Sequence, residues 1–427
     1  MSSDVLSIKA RSCPSAAAPR WICAQIGARE HYAIPRALRL AGRDALLCTD
    51  FWAGPVARNL FVGKLRSLAA RCHPDLQNKP AALVKSWNWR TLYWEMLRHQ
   101  QARARTPYHG FIDAGRRFAC CVREELKRAA NLKDGSVFFA YDTGALEAME
   151  WCRPQGIKCV LNQMDPNRVE VELVCAEEKN WPGWALQPLK VPEEYFARRE
   201  REWALADCVV VNSDFSRRAL LQQGVPAEKL FILPLCYEAD QRSRVPAPKD
   251  RGLNQPLRVL FLGQVILRKG IQYLLAAARE LEGENIHFDI VGPVGISNEA
   301  IKMAPANVTF HGRAERDQAA AWYQRSRLFV LPTLSDGFAM TQIEAMSHGL
   351  PVIATPNCGE VVADGVDGFI IPPRDPGKLV EIFRRYLVQP ELLPIQSAAA
   401  LKKSREFSLN RLAENLVRLE AELLEGF

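Results

Sequence analysis

Residues 328–354, LFVLPTLSDGFAMTQIEAMSHGLPVIA, leave few folds open to this chain. Leu328-Phe329-Val330-Leu331 is a short apolar run without polar alternation, the pattern of a strand buried on both faces of a parallel sheet. Pro332 stops it, and Ser335-Asp336-Gly337 reads as a turn. The spacing then predicts a helix over 341–347, closed by His348-Gly349, with Pro351-Val352-Ile353-Ala354 starting the next strand. A strand, a tight loop and an open helix N-terminus form an anion site, because unpaired backbone N–H groups and the positive end of the helix dipole both favour a phosphate. Asp336 on the loop and Glu344 on the helix flank that site. Carboxylates repel a phosphate but suit hydroxyls, those of a ribose on one side and of a sugar on the other. The stretch therefore reads as a site for a nucleotide sugar.

Residues 258–388 as a whole resemble the C-terminal domain of the GT-B retaining glycosyltransferases, family 4 (group 1) in particular. That family places a Glu, seven residues and a second Glu after a buried strand; here Asp336 stands at the first and Glu344 at the second. Leu260-Phe261-Leu262-Gly263 with Arg268-Lys269-Gly270, then Phe310-His311-Gly312, then Asp364-Gly365-Val366-Asp367-Gly368-Phe369 carry the resemblance further and in the family's order.

The resemblance implies an α/β chain of the GT-B kind, two Rossmann-like doubly wound parallel-sheet domains facing across a cleft. It also implies a metal-independent hexosyltransferase that moves a sugar from a nucleotide diphosphate, UDP or GDP, with retention at the anomeric carbon. Lys269 and Arg268 would carry the charge of the leaving diphosphate and Asp336 the sugar hydroxyls, as the catalytic groups. Gly263, Gln264, Gly312 and Arg313 would bind the donor from one side. Gly337, Phe338, Ala339, Met340 and Thr341 would bind it with backbone N–H groups, and Glu344 through the ribose. No cofactor or metal is implied, and the chain has no Asp-x-Asp pair to hold one. Two residues depart from the pattern: Gln264 stands where many members have Arg, and Asp336 is one methylene shorter than Glu. Arg268 either supplies the missing charge or points into solvent.

A length of 427 residues suits two domains. Residues 1–20, with SCPSAAAP, read as a flexible leader and 21–236 as an acceptor-side Rossmann-like domain. Residues 237–256, with three prolines, form a linker; 257–390 form the nucleotide-sugar domain. Residues 391–427 read as helices, which similar proteins send back to the first domain. Twelve cysteines show no Cys-x-x-Cys pair, and Cys23, Cys159 and Cys208 lie in apolar runs, as core thiols do in a reducing cytoplasm. No run approaches the roughly 20 apolar residues needed to span a bilayer, and the N-terminus lacks a signal-peptide pattern. The expectation is a cytoplasmic protein, free or peripheral at the inner face of the membrane.

Arg20-Trp21-Ile22-Cys23-Ala24-Gln25-Ile26 reads as the first strand, with Gly27 turning it into a helix that begins near Arg29. In the resembled family this turn faces the donor diphosphate, and a glycine lets backbone approach a ligand; Gly27 is either that or an ordinary turn. His31 is either a surface or capping residue or a substrate contact. Two further strand-like runs end in Asp142 and Asp165, at the sheet edge where doubly wound folds bind ligands. Each is an acceptor contact or a helix cap.

Residues 58–130 hold fifteen Lys/Arg against five Asp/Glu, +10 within a chain of +8, with Trp87, Trp89, Tyr93 and Trp94 interleaved. This suits an anionic membrane surface or an anionic acceptor, or else a solvated helix face over core aromatics. No helix-turn-helix, zinc or RNA-binding signature supports nucleic acid, and no G-x-G-x-x-G opens either domain to support a nicotinamide dehydrogenase. The partners expected are a nucleotide sugar donor and a glycan or glycolipid acceptor, lipid-linked or polysaccharide. The rival readings are a phosphorylase of the same fold and a nucleotide-sugar-binding partner protein without activity.

Overall fold

The computed structural model describes residues 19–54, 66–76, 83–101, 106–129, 132, 135–238 and 255–425. Most of the leader and of the linker lies outside the described residues, as do the side chains of seven of the fifteen basic positions (58, 64, 66, 79, 98, 103 and 105).

The apolar runs become strands of two sheets in which every pairing is parallel. The first contains β1 (Trp21–Gln25), β2 (Ala45–Thr49), β3 (Val84–Ser86), β4 (Val137–Tyr141), β5 (Lys158–Gln163), β6 (Cys208–Val211) and β7 (Leu230–Ile232), in the order β3-β2-β1-β4-β5-β6-β7. The second contains β8 (Leu257–Leu262), β9 (Ile286–Val291), β10 (Val308–Gly312), β11 (Leu328–Leu331), β12 (Val352–Ala354) and β13 (Gly368–Ile370), in the order β10-β9-β8-β11-β12-β13. Strands such as β1, β4 and β11 are buried along their whole length, which is why they read as unbroken apolar runs. Each order reverses once, between β1 and β4 and between β8 and β11. Loops diverge at such switch points and leave a crevice outside the carboxyl ends of the strands. The four loops leaving these points are 26–32, 142–145, 263–270 and 332–339, and most of the candidate residues lie on them.

Eight helices position the site: α1 (Ala33–Leu40), α2 (Pro107–Arg128), α3 (Arg168–Asn180), α4 (Glu193–Leu205), α5 (Ile271–Glu280), α6 (Met340–Ser347), α7 (Leu392–Ser404) and α8 (Leu409–Glu425). Leu412, Leu416, Leu419 and Leu423 form one buried stripe of α8, which crosses to the first domain and packs with Ala33, Ile34, Ala37 and Leu38 of α1. Glu420 of α8 accepts a hydrogen bond from Trp21 Nε1 at 2.7 Å. Of the two C-terminal helices only α8 makes this return; α7 stays on the second domain against α6.

α3 follows β5 in the chain yet docks on the second domain. Its Glu177 is fully buried and accepts hydrogen bonds from Gln272 Nε2 (3.0 Å), Tyr273 OH (2.7 Å) and Arg374 Nε. A buried carboxylate without partners is costly by several kcal/mol, so these three donors fasten α3 in place. Trp181 adds an edge contact to Tyr273 at 5.9 Å, and an antiparallel bridge joins Ala185 to Ile296.

Candidate functional site

α6 starts at Met340, one residue earlier than the spacing predicts, and its N-cap Ala339 provides no side-chain cap. The loop before it is laced to the β8 loop: Leu334 N donates to Arg268 O at 2.8 Å and Thr333 Oγ1 to the same oxygen at 3.1 Å. The approach is close enough that a Cβ on Gly270 (φ +74°) would lie 1.9 Å from Pro332 O, so only glycine fits. This lacing places Lys269 on Asp336, the ammonium donating to Oδ2.

Arg268 lies beside them in a different role from the one expected. Its Nη1 donates to Ser335 O at 2.9 Å, with Glu170 Oε2 at 3.3 Å and Asp336 Oδ1 at 3.7 Å. Glu170 comes from α3 and also accepts from Ser335 Oγ at 2.8 Å. Burial raises the Glu170 carboxyl above its ordinary range, and the Arg268 charge opposes that rise. Two cations and two carboxylates thus form a neutral cluster that joins the domains. Lys269 faces the 332–339 loop, whereas Arg268 is bound between the halves rather than pointing into solvent.

Around this cluster, Glu344 Oε2 accepts from the buried Tyr323 hydroxyl at 2.9 Å, and the Tyr323 ring stacks on His348. Gly263 and Gly312 end β8 and β10; Gly312 is left-handed (φ +68°) with open space above it, and Gln264 and Arg313 are exposed. A Cβ on Gly337 would lie 2.7 Å from Met164 O, so here the first domain touches the 332–339 loop. Met340 and Thr341 open the helix and are half-buried. One expectation in this loop needs correction. The Ala339 N–H is already given to Cys358 O at 3.0 Å. The Phe338 side chain is buried, edge-on to Phe407, which leaves the expectation for its backbone N–H as it stood.

Across the crevice, Gly27 (φ +77°) donates its N–H to Asp50 Oδ1 at 2.7 Å, and Gln25 Nε2 reaches Gly27 O and Arg29 O. Held this way, Glu30, His31 and Tyr32 all take left-handed conformations (φ 48°, 52° and 61°). The helix expected near Arg29 therefore begins only at Ala33. Strained non-glycine backbone costs on the order of 1–3 kcal/mol per residue and concentrates at functional sites. Burial pushes the Glu30 carboxyl up to about 7 against the pull of Arg29 and of the Tyr141 hydroxyl beside it. His31 is exposed.

Asp142 and Asp165 converge on a residue that the sequence did not single out. Arg199 of α4, 1% exposed, donates to Asp142 Oδ2, to Asp165 Oδ1 at 2.8 Å and to Asn167 Oδ1 at 2.9 Å. Asp142, 8% exposed, is therefore the counter-ion of Arg199 and not an acceptor contact. Asp165 remains at the crevice edge with its side chain 35% exposed. Glu202, one turn on, holds the β4 loop by accepting from the N–H groups of Thr143 (2.7 Å), Ala145 (3.0 Å) and Leu146 (3.1 Å). The available signal was the spacing Tyr195, Arg199, Glu202, at i, i+4 and i+7 on one helix face. Among the described residues, no group of three or more His, Cys, Asp or Glu is placed to share a metal ion.

Two doubly wound parallel sheets facing across a crevice, with a terminal helix crossing back, define the GT-B fold. Solved structures share it: sucrose-phosphate synthase from Thermosynechococcus elongatus superposes with a TM-score of 0.64 at 18% identity, over 96% of this chain and 100% of that one. Anabaena Alr3699/HepE, solved in complex with UDP, gives 0.58 at 14% identity, over 94% and 99%. At these identities the likeness is one of fold. Residues 256–389, which span the second sheet, match the family described as Glycosyl transferases group 1. The Uncharacterized 41.2 kDa protein in cps region of Klebsiella pneumoniae is 23% identical over 188 residues, 43% of this chain and 52% of that protein. The amylovoran biosynthesis glycosyltransferase AmsK of Erwinia amylovora is 26% identical over 248 residues, 53% and 60%. The chain spans about half the length of the curated relatives it matches.

Proposed function

We propose that this chain is a retaining glycosyltransferase that moves a hexosyl group from a nucleotide diphosphate to a glycan or glycolipid acceptor. The observation that carries the reading is the meeting of Lys269, Asp336 and the uncapped start of α6 at the switch point of the second sheet. The bond to break joins the anomeric carbon to a diphosphate oxygen, so negative charge grows on the leaving group. Lys269 and the helix N-terminus stabilise that charge where it develops, the role a metal ion plays elsewhere. Donor binding exchanges the Lys269–Asp336 ion pair for one between Lys269 and phosphate, and the freed Asp336 takes sugar hydroxyls. Glu344 takes the ribose while keeping its bond to Tyr323. The departing phosphate oxygen receives the acceptor proton on the same face, which gives retention.

UDP is the first nucleotide to test, since Alr3699/HepE was solved with UDP and with UDP-glucose. The names of the Klebsiella and Erwinia relatives favour a polysaccharide product. For a peripheral membrane position the support is the helix Asn88–Gln101, which exposes Trp89 (85%), Tyr93 (56%) and Met96 (63%) at i, i+4 and i+7. Such an aromatic and apolar strip suits a membrane interface. Charge supports it less, because Lys85, Arg116, Arg117, Arg123 and Lys127 are each paired with a carboxylate. No helix of the described residues is long and apolar enough to cross a membrane.

Calorimetry with UDP, GDP and ADP in EDTA tests the donor site. Binding of one nucleotide without metal is expected, and binding of none would sink the reading. The anomeric configuration of the product by NMR tests retention. Sedimentation with anionic and neutral vesicles tests the membrane position, which equal non-binding to both would exclude.

A further inference from the structure

Beside the Lys269–Asp336 cluster a groove of ≈ 850 Å³ opens between the domains. Tyr108 and Phe111 of α2 form one wall, Val171 and Val174 of α3 with Leu189 and Lys190 the other. Gln264, Ile266 and Leu267 form the floor. At its inner end stand Arg268 and Glu170, the residues that hold Ser335 next to Asp336. Of the donor-side candidates Gln264 and Arg268 line it, whereas Lys269, Glu344, Gly312 and the start of α6 do not, so the groove reaches the cluster from beside the proposed donor site.

Its walls are amphipathic. Phe111 is 54% exposed and set edge-on to Tyr108 at 5.8 Å, and Tyr108 is in turn fixed edge-on by Tyr195 at 5.0 Å. Gln187, Lys190 and Gln264 are exposed along the same groove. The Glu178 carboxylate is taken up by the N–H of Leu189 (2.9 and 3.2 Å), which anchors the lip. A fixed aromatic platform beside amides and a single ammonium matches sugar rings, whose C–H faces lie on aromatics while their hydroxyls find hydrogen-bond partners. A lipid tail would leave those amides and the ammonium unpaired. The volume falls in the range of small-molecule sites.

We infer that this groove is the acceptor subsite and that it takes an oligosaccharide, stacked on Phe111 and Tyr108 and presenting its reacting hydroxyl at the inner end, beside the Arg268–Glu170 pair. The inference rests on the glycosyltransferase reading and adds the acceptor class and its place. Saturation-transfer NMR on UDP-saturated protein, with a panel of free di- to tetrasaccharides and a decyl phosphate control, tests it. The expected result is saccharide binding that weakens at least tenfold in Phe111→Ala and in Lys190→Ala, both exposed, with UDP affinity within twofold of wild type. Three results with UDP still bound overturn the groove alone: no saccharide signal, unchanged saccharide binding in Phe111→Ala, or saturation transfer to decyl phosphate only. If no nucleotide binds, the glycosyltransferase reading itself falls, and the subsite with it.

Discussion

Lys269 and Asp336 lie 67 positions apart in the chain and meet as an ion pair at the carboxyl ends of β8 and β11. On the proposed reading the carboxylate holds the ammonium at the place where the donor diphosphate binds. Lys269→Ala should weaken UDP binding by about 10- to 100-fold, the size of a lost charge-assisted contact of about 1.5–3 kcal/mol. Titration calorimetry reads this directly. An unchanged dissociation constant would remove Lys269 from the donor site.

Asp336→Ala should behave differently. Turnover should fall more than about tenfold, since a hydroxyl contact made at the reacting sugar is lost. UDP affinity should hold or rise, because Lys269 loses its competing partner. Wild-type turnover in this variant would refute the assignment.

Glu344 has a structural duty as well as its proposed ribose contact. Glu344→Ala should lower both UDP affinity and stability, the latter by about 1–3 kcal/mol, because the buried Tyr323 hydroxyl is left unpaired. Glu344→Gln keeps an acceptor for Tyr323, so it should retain most of the stability and still lose affinity. Urea unfolding and calorimetry on the two variants separate the roles.

Glu30 links stability to pH. Burial pushes its carboxyl from 4.5 up to about 7, so the folded chain holds a proton that the unfolded chain releases. The stabilisation from this group is complete below the unfolded value and is lost as pH rises through about 7. Glu30→Gln should therefore flatten the decline in stability between pH 5 and pH 8. Glu202, also pushed up to about 7 by burial, stays in the variant, so some slope should remain. An identical slope in unfolding experiments would mean that Glu30 is ionised in the folded protein.

Arg199→Leu should destabilise the fold by about 3–5 kcal/mol, the usual penalty for stranding a buried carboxylate, here Asp142. Adding Asp142→Asn should restore part of that loss. If the single variant unfolds like wild type in urea, Asp142 is free to face the crevice after all.

The sheets were legible because strands buried on both faces must be apolar throughout, as in Leu328–Leu331 and Val137–Tyr141. The 332–339 loop was legible for a related reason: Pro332, Gly337 and Gly270 punctuate the chain where the second sheet reverses its order. Charged helices hid the rest. The α4 sequence EEYFARREREWAL looks like a solvated surface, yet Arg199 and Glu202 point inward. Glu170 and Glu177 likewise face inward on α3, towards the second domain. Whether a charge is buried depends on partners brought in by the fold: Arg374 lies 197 positions from Glu177. The left-handed run at Glu30, His31 and Tyr32 is equally silent in residue type, being imposed by Gln25 and Asp50 from neighbouring strands.

Chain order assigns α3 to the first half of the molecule, and the buried Glu177 ties it to the second. If the halves swing apart, α3 travels with the second sheet and the chain bends on either side of it, around Asp165-Pro166-Asn167 and the prolines at 188 and 192. One bank of the groove is then carried by the moving half together with its bed, while Tyr108 and Phe111 stay with the other. The width of the channel becomes the measure of closure, and on the proposed reading an acceptor long enough to bridge both banks would be the gauge that sets how tightly the two halves shut.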